Sequence, residues 1–244
     1  MTVSEAPNPK ALPSVGNLLK DTFSFLSTHG ALVYGYAGWL LVPILIILGA
    51  SRLDKGVSEV ITAVGSVALF ALSLWAAGAI TLAITELKRP DLYPKDSKGS
   101  VSELAWRRAP VLLWVGLLTG IIEGFGFLFL IVPGVLFMVW FAFAETEAIL
   151  TGSGTFLSLE QSRARVRGQF LPVLLRLVAF SLMICLAVTV ILVPIMASAG
   201  ITDYTIIFTN PPAWLNAIIN ALQILIMPAI ICYELHLYFA LRTP

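Results

Sequence analysis

Five ionisable residues lie inside or at the edge of strongly apolar stretches of this sequence. They are Glu123, Glu145, Glu147, Glu234 and His236. An ionisable side chain at membrane depth is costly, and by default it indicates a functional role. We therefore predict that these residues form a polar cluster or line a cavity inside the protein.

Helical spacing limits which of these residues can act together. Glu145 and Glu147 are two positions apart, which is about 200° around a helix axis. Glu234 and His236 have the same spacing. The members of each pair should therefore point to opposite faces, and they cannot both line one pocket.

A structural role is the alternative for most of these acids. Near the inner ends of their spans they could reach the interface or pair with basic residues. This applies to Glu86, Glu145, Glu147 and Glu234, whose predicted partners are Lys88, Arg89 and the arginines at 163–167. Glu123 is different because no basic residue is near it in sequence, so it should lie at the outer interface or line a cavity.

A basic segment follows the fourth apolar stretch and offers a second candidate site. Arg163, Arg165 and Arg167 lie mainly off the face that carries the apolar residues Phe156, Leu159, Val166 and Phe170. A helix with a basic side and an apolar side can lie flat on an anionic leaflet, with its arginines on lipid head groups. The competing interpretation pairs the arginines with Glu145, Glu147 and Glu160 inside the protein.

The elements that must position these residues are transmembrane helices. Of the 244 residues, 58% are hydrophobic and 12% charged, whereas soluble domains are roughly half apolar and a quarter charged. Since about 20 apolar residues cross a bilayer as a helix, the sequence predicts an all-α polytopic bundle in a single membrane domain, 1–244. Six spans are predicted, at residues 31–50, 60–84, 111–131, 134–150, 171–197 and 213–241.

The basic residues predict the orientation of these spans. With an inner N-terminus, all of the 15 Lys and Arg residues except Arg52 and Lys55 fall on the inner side. Cytoplasmic loops are enriched in Lys and Arg. Both termini are therefore predicted to be cytoplasmic, and residues 1–30, which lack the pattern of a cleavable signal peptide, should form a cytoplasmic or interfacial segment.

Local patterns predict short amphipathic helices and a threefold repeat of helix, span and span. The helices before each odd-numbered span are expected either to lie at the interface or to be plain connecting helices packed on the bundle, and Ser100 with Glu103 forms a capping box for the second. The repeat rests on three Val-Pro steps, Val42-Pro43, Val132-Pro133 and Val193-Pro194. Gly116, Gly120 and Gly124 recur every fourth residue along the third span, which predicts close helix packing within the chain rather than dimerisation.

No motif in the sequence indicates catalysis. Metal and cofactor sites are not expected, because there is no CxxC, HExxH, P-loop or nucleophile elbow. Cys185 and Cys232 lie in apolar segments, where a thiol usually acts as a small hydrophobe. The net charge of +1 gives no argument for binding to nucleic acid. The protein is therefore predicted not to be an enzyme.

Two stretches carry a family resemblance. The first is "LIVPGVLFMVWFAFAETEAILTGSGTFLSLEQSRARVRGQFLPVLLRL", residues 130–177, with Pro133-Gly134, a link containing Gly152 and Gly154, and a helix of the form Leu159-x-x-Ser162 to Arg167-Gly168-x-Phe170. The second is "LLKDTFSFLSTHGALVYGYAGWLLVPI" near the N-terminus. Together they resemble the bacterial YciC-like membrane proteins and the membrane domain appended to some glycerophosphodiester phosphodiesterases.

The resemblance implies a six-span protein of the prokaryotic cytoplasmic membrane whose role is poorly defined. In the phosphodiesterases the chemistry belongs to a separate soluble barrel, which this sequence lacks. The first functional hypothesis is a non-catalytic protein that organises the membrane or envelope through contacts with lipids or other membrane proteins. The alternative is a transporter of a small molecule or lipid. A cavity lined by Glu123 and one of the acids near the cytoplasmic end would favour transport, whereas a filled core would favour the first hypothesis.

Overall fold

The computed structural model describes residues 12–94, 99–201, 205 and 211–242, and these residues form helices and no strands. The helices are α1 (Val15–Gly38), α2 (Leu41–Ala50), α3 (Lys55–Lys88), α4 (Val101–Phe129), α5 (Ile131–Phe141), α6 (Ala144–Thr151), α7 (Thr155–Val166), α8 (Phe170–Ser198) and α9 (Ala213–Arg242). Among the residues used to predict orientation, Lys10, Lys95 and Lys98 lie outside the described part of the chain.

The helices confirm an all-α, multi-pass membrane protein. Within the described residues, five helical segments are long and apolar enough to cross a bilayer, with α5 and α6 together as one of them, and a sixth is added if α1 and α2 form one bent span. The two helices differ in direction by 42°. Pro43 explains the break, because a proline lacks the N–H that would bond to the Trp39 carbonyl and its ring clashes with that carbonyl.

Two of the three predicted interfacial helices are the first turns of longer helices. Ser14 caps α1 by accepting a hydrogen bond from the Asn17 N–H at 3.2 Å, and α1 continues into the first span. Ser100 accepts from the Glu103 N–H at 3.3 Å, as the capping box predicts, and α4 then runs unbroken to Phe129. Only the third segment, α7, stands apart from its span, because Gly168 with a φ of 87° separates it from α8.

The three Val-Pro steps do not share one structural position. Pro43 and Pro133 are each the third residue of a helix, α2 and α5, whereas Pro194 lies in the last turns of α8. The first two steps therefore share a local position and the third does not, so the predicted threefold repeat lacks a common geometry at its third step.

The hydrophobic core is concentrated at one end of the bundle. The second half of α3 is central and contacts α1, α4, α6 and α9. Fully buried side chains there include Ile84, Ile149 and Leu237. This end also carries Lys88, Arg89, Arg108, Arg165 and Arg242, and we call it the basic end. The helix α8 is held less closely than the others, and its main contacts are with α5 and α1.

The glycine face of α4 is not closely packed, so that prediction is wrong. No described atom outside the local helix backbone lies within 4 Å of a Cβ placed at Gly120 or Gly124, and at Gly116 the nearest is Oε1 of Glu145 at 3.1 Å. The close helix approach occurs instead where α4 meets α5. There a Cβ at Gly126 would lie 2.9 Å from Cα of Gly134.

Candidate functional site

A break between α5 and α6 positions two of the candidate glutamates. Ser162 of α7 is fully buried beside this break. Its hydroxyl donates a hydrogen bond to the Trp140 carbonyl at 2.8 Å and accepts one from the Phe143 N–H at 3.2 Å. The hydroxyl thus satisfies backbone groups that the interrupted helix leaves unpaired, and it fixes the direction in which α6 begins.

Glu145 and Glu147 consequently face different surroundings, as their spacing predicts. The Glu147 side chain has no exposed surface and forms an ion pair with Arg165 of α7. Glu145 faces the opposite way, into two cavities within the bundle. Glu147 is therefore part of the packed structure, whereas Glu145 is available to a ligand.

Glu234 and His236 of α9 are separated in the same way. Nδ1 of His236 lies 3.3 Å from the Thr22 hydroxyl of α1, and its Nε2 contacts Nζ of Lys88 at the end of α3. Phe25 packs edge-on against the imidazole ring. Glu234 instead lines the cavities that Glu145 lines. His236 thus ties three helices together at the basic end and does not join the glutamates.

The first cavity, which we call the long cavity, has a volume of about 850 Å³. It lies between α2, α3, α8 and α9. Its wall is mostly apolar, with contributions from Phe70, Leu74, Ile184, Met227 and Ile231. Glu145 and Glu234 lie at the end nearest the basic end, and the cavity continues away from them toward Ser66 and Ile219.

The second cavity, which we call the short cavity, has a volume of about 690 Å³ and lies between α4, α5 and α8. Gly116, Thr119, Gly120 and Glu123 line it from α4. These positions follow the i, i+3, i+4, i+7 pattern of one helix face. The missing side chains of the two glycines leave this space open, so the glycine face forms a cavity wall instead of a packing surface.

Glu145 and Glu234 line both cavities, and Glu123 joins them in the short one. Oε1 of Glu145 lies beside Gly116, and Glu123 is seven positions after Gly116, so the Glu123 backbone lies about 10 Å farther along α4 than that of Gly116. None of the three carboxylates has a hydrogen bond or ion pair with another described residue, and the Thr119 hydroxyl in the same cavity is buried without a partner. Carboxylates in apolar surroundings are stabilised by a proton or a cation.

The three arginines of the basic segment have three different environments. The Arg163 guanidinium lies over the Trp140 ring at 4.2 Å, and the exposed Arg167 follows the last residue of α7. Arg165 is partly buried; burial disfavours its charged form, but its hydrogen bond to Glu147 leaves the pKa of the guanidinium raised. The predicted apolar face is also divided, since Leu159 and Val166 are buried while Phe156 is 79% exposed.

Sequence reasoning missed several residues of the site. Asn220 and Gln223 of α9 place amides in the long cavity, and Thr119 lies in the short one. The spacing of Thr119 from Glu123 was a usable signal, because four residues place both on one helix face.

Among the described residues no group of three or more His, Cys, Asp or Glu side chains could hold a metal ion.

Fold and site together define a multi-pass membrane protein with cavities that share a pair of glutamates. No family model, curated protein or solved structure matches this chain.

Proposed function

We propose that this protein is a non-catalytic transporter that binds a small molecule or lipid in cavities lined by glutamates within the membrane. The observation that carries the proposal is that Glu145 and Glu234, from two different helices, meet the same two cavities without a charged partner among the described residues. An unpaired acid at membrane depth is costly to keep, and a ligand or proton that neutralises it gives a reason for its presence.

The uneven packing of the bundle supports transport. Between the glutamates and the basic end, the core is filled by side chains such as Phe143, Tyr233 and Tyr238. Away from the glutamates, the long cavity extends between α3, α8 and α9. A site that is closed on one side and open on the other is what a transporter needs in one of its two states.

We place the protein in the cytoplasmic membrane of a prokaryote, with both termini inside. The resemblance to YciC-like proteins and the distribution of Lys and Arg support this placement. In that orientation the basic end is cytoplasmic, and the cavities extend toward the outer face.

A second candidate function is organisation of the membrane through lipid contacts. Exposed Arg163 and Arg167 at the surface of α7 favour it, because basic side chains at a membrane surface attract anionic lipids. Transport accounts for the cavities, whereas lipid anchoring accounts only for these surface charges.

The test of transport uses a substitution that fills the long cavity. Ser73 lines this cavity from α3, so Ser73→Trp should block it. Val67 on the same helix is 70% exposed and does not line either cavity, so Val67→Trp is the matched control. Both variants and the parent are reconstituted in vesicles and tested with labelled cationic, anionic, zwitterionic and neutral compounds and a labelled phospholipid.

We expect at least one class of compound to be moved by the parent and by Val67→Trp but not by Ser73→Trp. If no class is moved by the parent, or if filling the cavity leaves movement unchanged, the transport proposal is wrong.

A further inference from the structure

We infer that the ligand is an amphipathic monocation, with its charged group between Glu145 and Glu234 and its apolar body in the long cavity. This inference rests on the proposed function and specifies the chemical class of the ligand. It follows from the charge of the cavity walls, from the shape of the long cavity, and from the placement of the two carboxylates.

The charge of the lining residues excludes an anionic ligand. Among the described residues that line the two cavities, Glu123, Glu145 and Glu234 are acidic and none is Lys, Arg or His. An anion would meet like charges with no basic partner, which costs several kcal/mol in a specific site. A neutral ligand would leave the carboxylates unpaired, whereas a cation neutralises them.

The shape of the long cavity requires an elongated apolar body. From Gln223 to Glu234 the cavity follows α9 for 11 residues, or about 16 Å. Between these polar ends the α9 wall consists of apolar residues, including Met227 and Ile230, and α3 contributes Leu69 and Leu74 opposite. A volume of about 850 Å³ is in the range of sites that enclose drug-sized molecules. A small hydrated cation would leave most of this wall uncovered.

The two carboxylates together suit one positive charge. Glu145 and Glu234 border the same space and are within electrostatic range of one another. Two neighbouring carboxylates in apolar surroundings do not both ionise readily, and a shared proton leaves one net negative charge. Glu123 lies farther along the short cavity, so it is not part of this binding position.

The inference is tested by equilibrium binding to the full chain in phosphatidylcholine nanodiscs, with empty nanodiscs as the blank. The probes are ethidium, which is an aromatic monocation, its uncharged analogue 3,8-diamino-6-phenylphenanthridine, and tetramethylammonium, which is a cation without a large apolar body. We expect saturable ethidium binding and much weaker binding of the other two.

The matched variants separate charge from packing. The double variant, Glu145→Gln with Glu234→Gln, should weaken ethidium binding by about 30-fold or more, as expected when a buried charge loses its partner. Each single variant, Glu145→Gln or Glu234→Gln, keeps one carboxylate and should bind ethidium with an affinity between those of the double variant and the parent. Glu86→Gln, at an exposed acid outside both cavities, should bind like the parent. Melting temperatures of all variants identify any that fail to fold. If the double variant fails to fold, the two single variants still provide the test.

The outcomes distinguish this inference from the transport proposal. Equal binding of ethidium and its neutral analogue, or ethidium binding that the glutamine variants leave unchanged, would overturn the cation inference. Tight binding of tetramethylammonium would overturn the requirement for an apolar body. In each case transport of another compound that Ser73→Trp abolishes and Val67→Trp preserves would leave the proposed function standing.

Discussion

The carboxylate of Glu147 has no exposed surface, and a single guanidinium from the next helix neutralises it. Arg165 also lies 5.3 Å from the Tyr238 ring, so the pair links α6, α7 and α9. Taking two charges out of water is costly, and such a pair adds little net stability relative to apolar residues. Removing one partner is different, because the other charge then stays buried without compensation.

We therefore expect Arg165→Met to destabilise the protein by about 3 kcal/mol or more. The matched variant is Arg167→Met, at an exposed arginine two residues away for which no ion pair is recorded among the described residues. It should change stability by less than about 0.5 kcal/mol. Unfolding of both variants in the same detergent measures the difference, and equal stabilities would show that the Glu147 pair is not structurally important.

Surface arginines should respond to lipid charge, and the internal one should not. Arg163 and Arg167 are exposed on α7, and each is worth about 1 kcal/mol near an anionic surface. We expect Arg163→Gln with Arg167→Gln to reduce protection of α7 from hydrogen exchange more in anionic than in neutral bilayers, where only the contact of Arg163 with Trp140 is lost. Arg165→Met should instead reduce stability in neutral and anionic bilayers alike. An equal loss of α7 protection in both bilayers for the double variant would rule out lipid anchoring by these two residues.

Helical spacing in the sequence was sufficient to predict the separation of Glu145 from Glu147 and of Glu234 from His236. It could not predict their partners, because those come from distant parts of the chain. Thr22 and His236 are 214 residues apart, and the Ser162 hydroxyl that bridges the helix break lies 22 residues from the Trp140 carbonyl that it contacts. Such contacts depend on tertiary packing, about which a local pattern contains no information.

At the scale of helices, the spacing of small residues identified a face of α4 but not what that face meets. A stripe of glycines permits a neighbouring helix to come close, and it equally permits a cavity when the neighbour stays away. Gly116 and Gly120 line the short cavity, because α8 does not pack against this part of α4. The tight contact formed at Gly126 and Gly134, where the short connection between α4 and α5 holds the two helices together.

We expect opposite results for two substitutions on α4. Gly126→Leu should lower the melting temperature strongly or prevent assembly, because a Cβ alone would lie 2.9 Å from Cα of Gly134 and backbone cannot easily shift. Gly120→Leu should melt at or above the temperature of the parent, since the site is open and leucine favours a helix more than glycine. Thermal unfolding in detergent provides the comparison, and a severe loss at Gly120 would mean that the short cavity is filled by packing.

Amphipathic pattern alone also could not decide where an interfacial helix ends and a span begins. The apolar stripe before the first span and the capping box at Ser100 were both correct as local features, and each marks the start of a long continuous helix. A separate helix requires a break before the span, and of the three segments only α7 has one, at Gly168 with its positive φ. The composition of the chain, in contrast, was enough to predict the membrane bundle itself.

For the molecule as a whole, charge and packing are asymmetric in the same direction. The basic end holds the filled core, and contacts such as Arg176 to the Pro13 and Leu12 carbonyls and Arg108 to the Ile149 carbonyl fasten helix ends together there. The opposite end carries few basic residues, and the long cavity extends toward it from Glu145 and Glu234. If positive residues mark the cytoplasmic side, the long cavity extends toward the outer side.

Topology and access can be tested together in a chain with Cys185 and Cys232 replaced by serine. Single cysteines are introduced at Asp203 and Lys95, which lie outside the described residues, and at Ser66, which lines the long cavity. A membrane-impermeant thiol reagent applied to intact cells should label Asp203→Cys and Ser66→Cys and spare Lys95→Cys. In the predicted topology only the outer loop and the long cavity face the reagent. Labelling of Lys95→Cys without Asp203→Cys would reverse the topology. Labelling of Asp203→Cys but not Ser66→Cys would keep the topology and show that the long cavity is not open to water on the outer side.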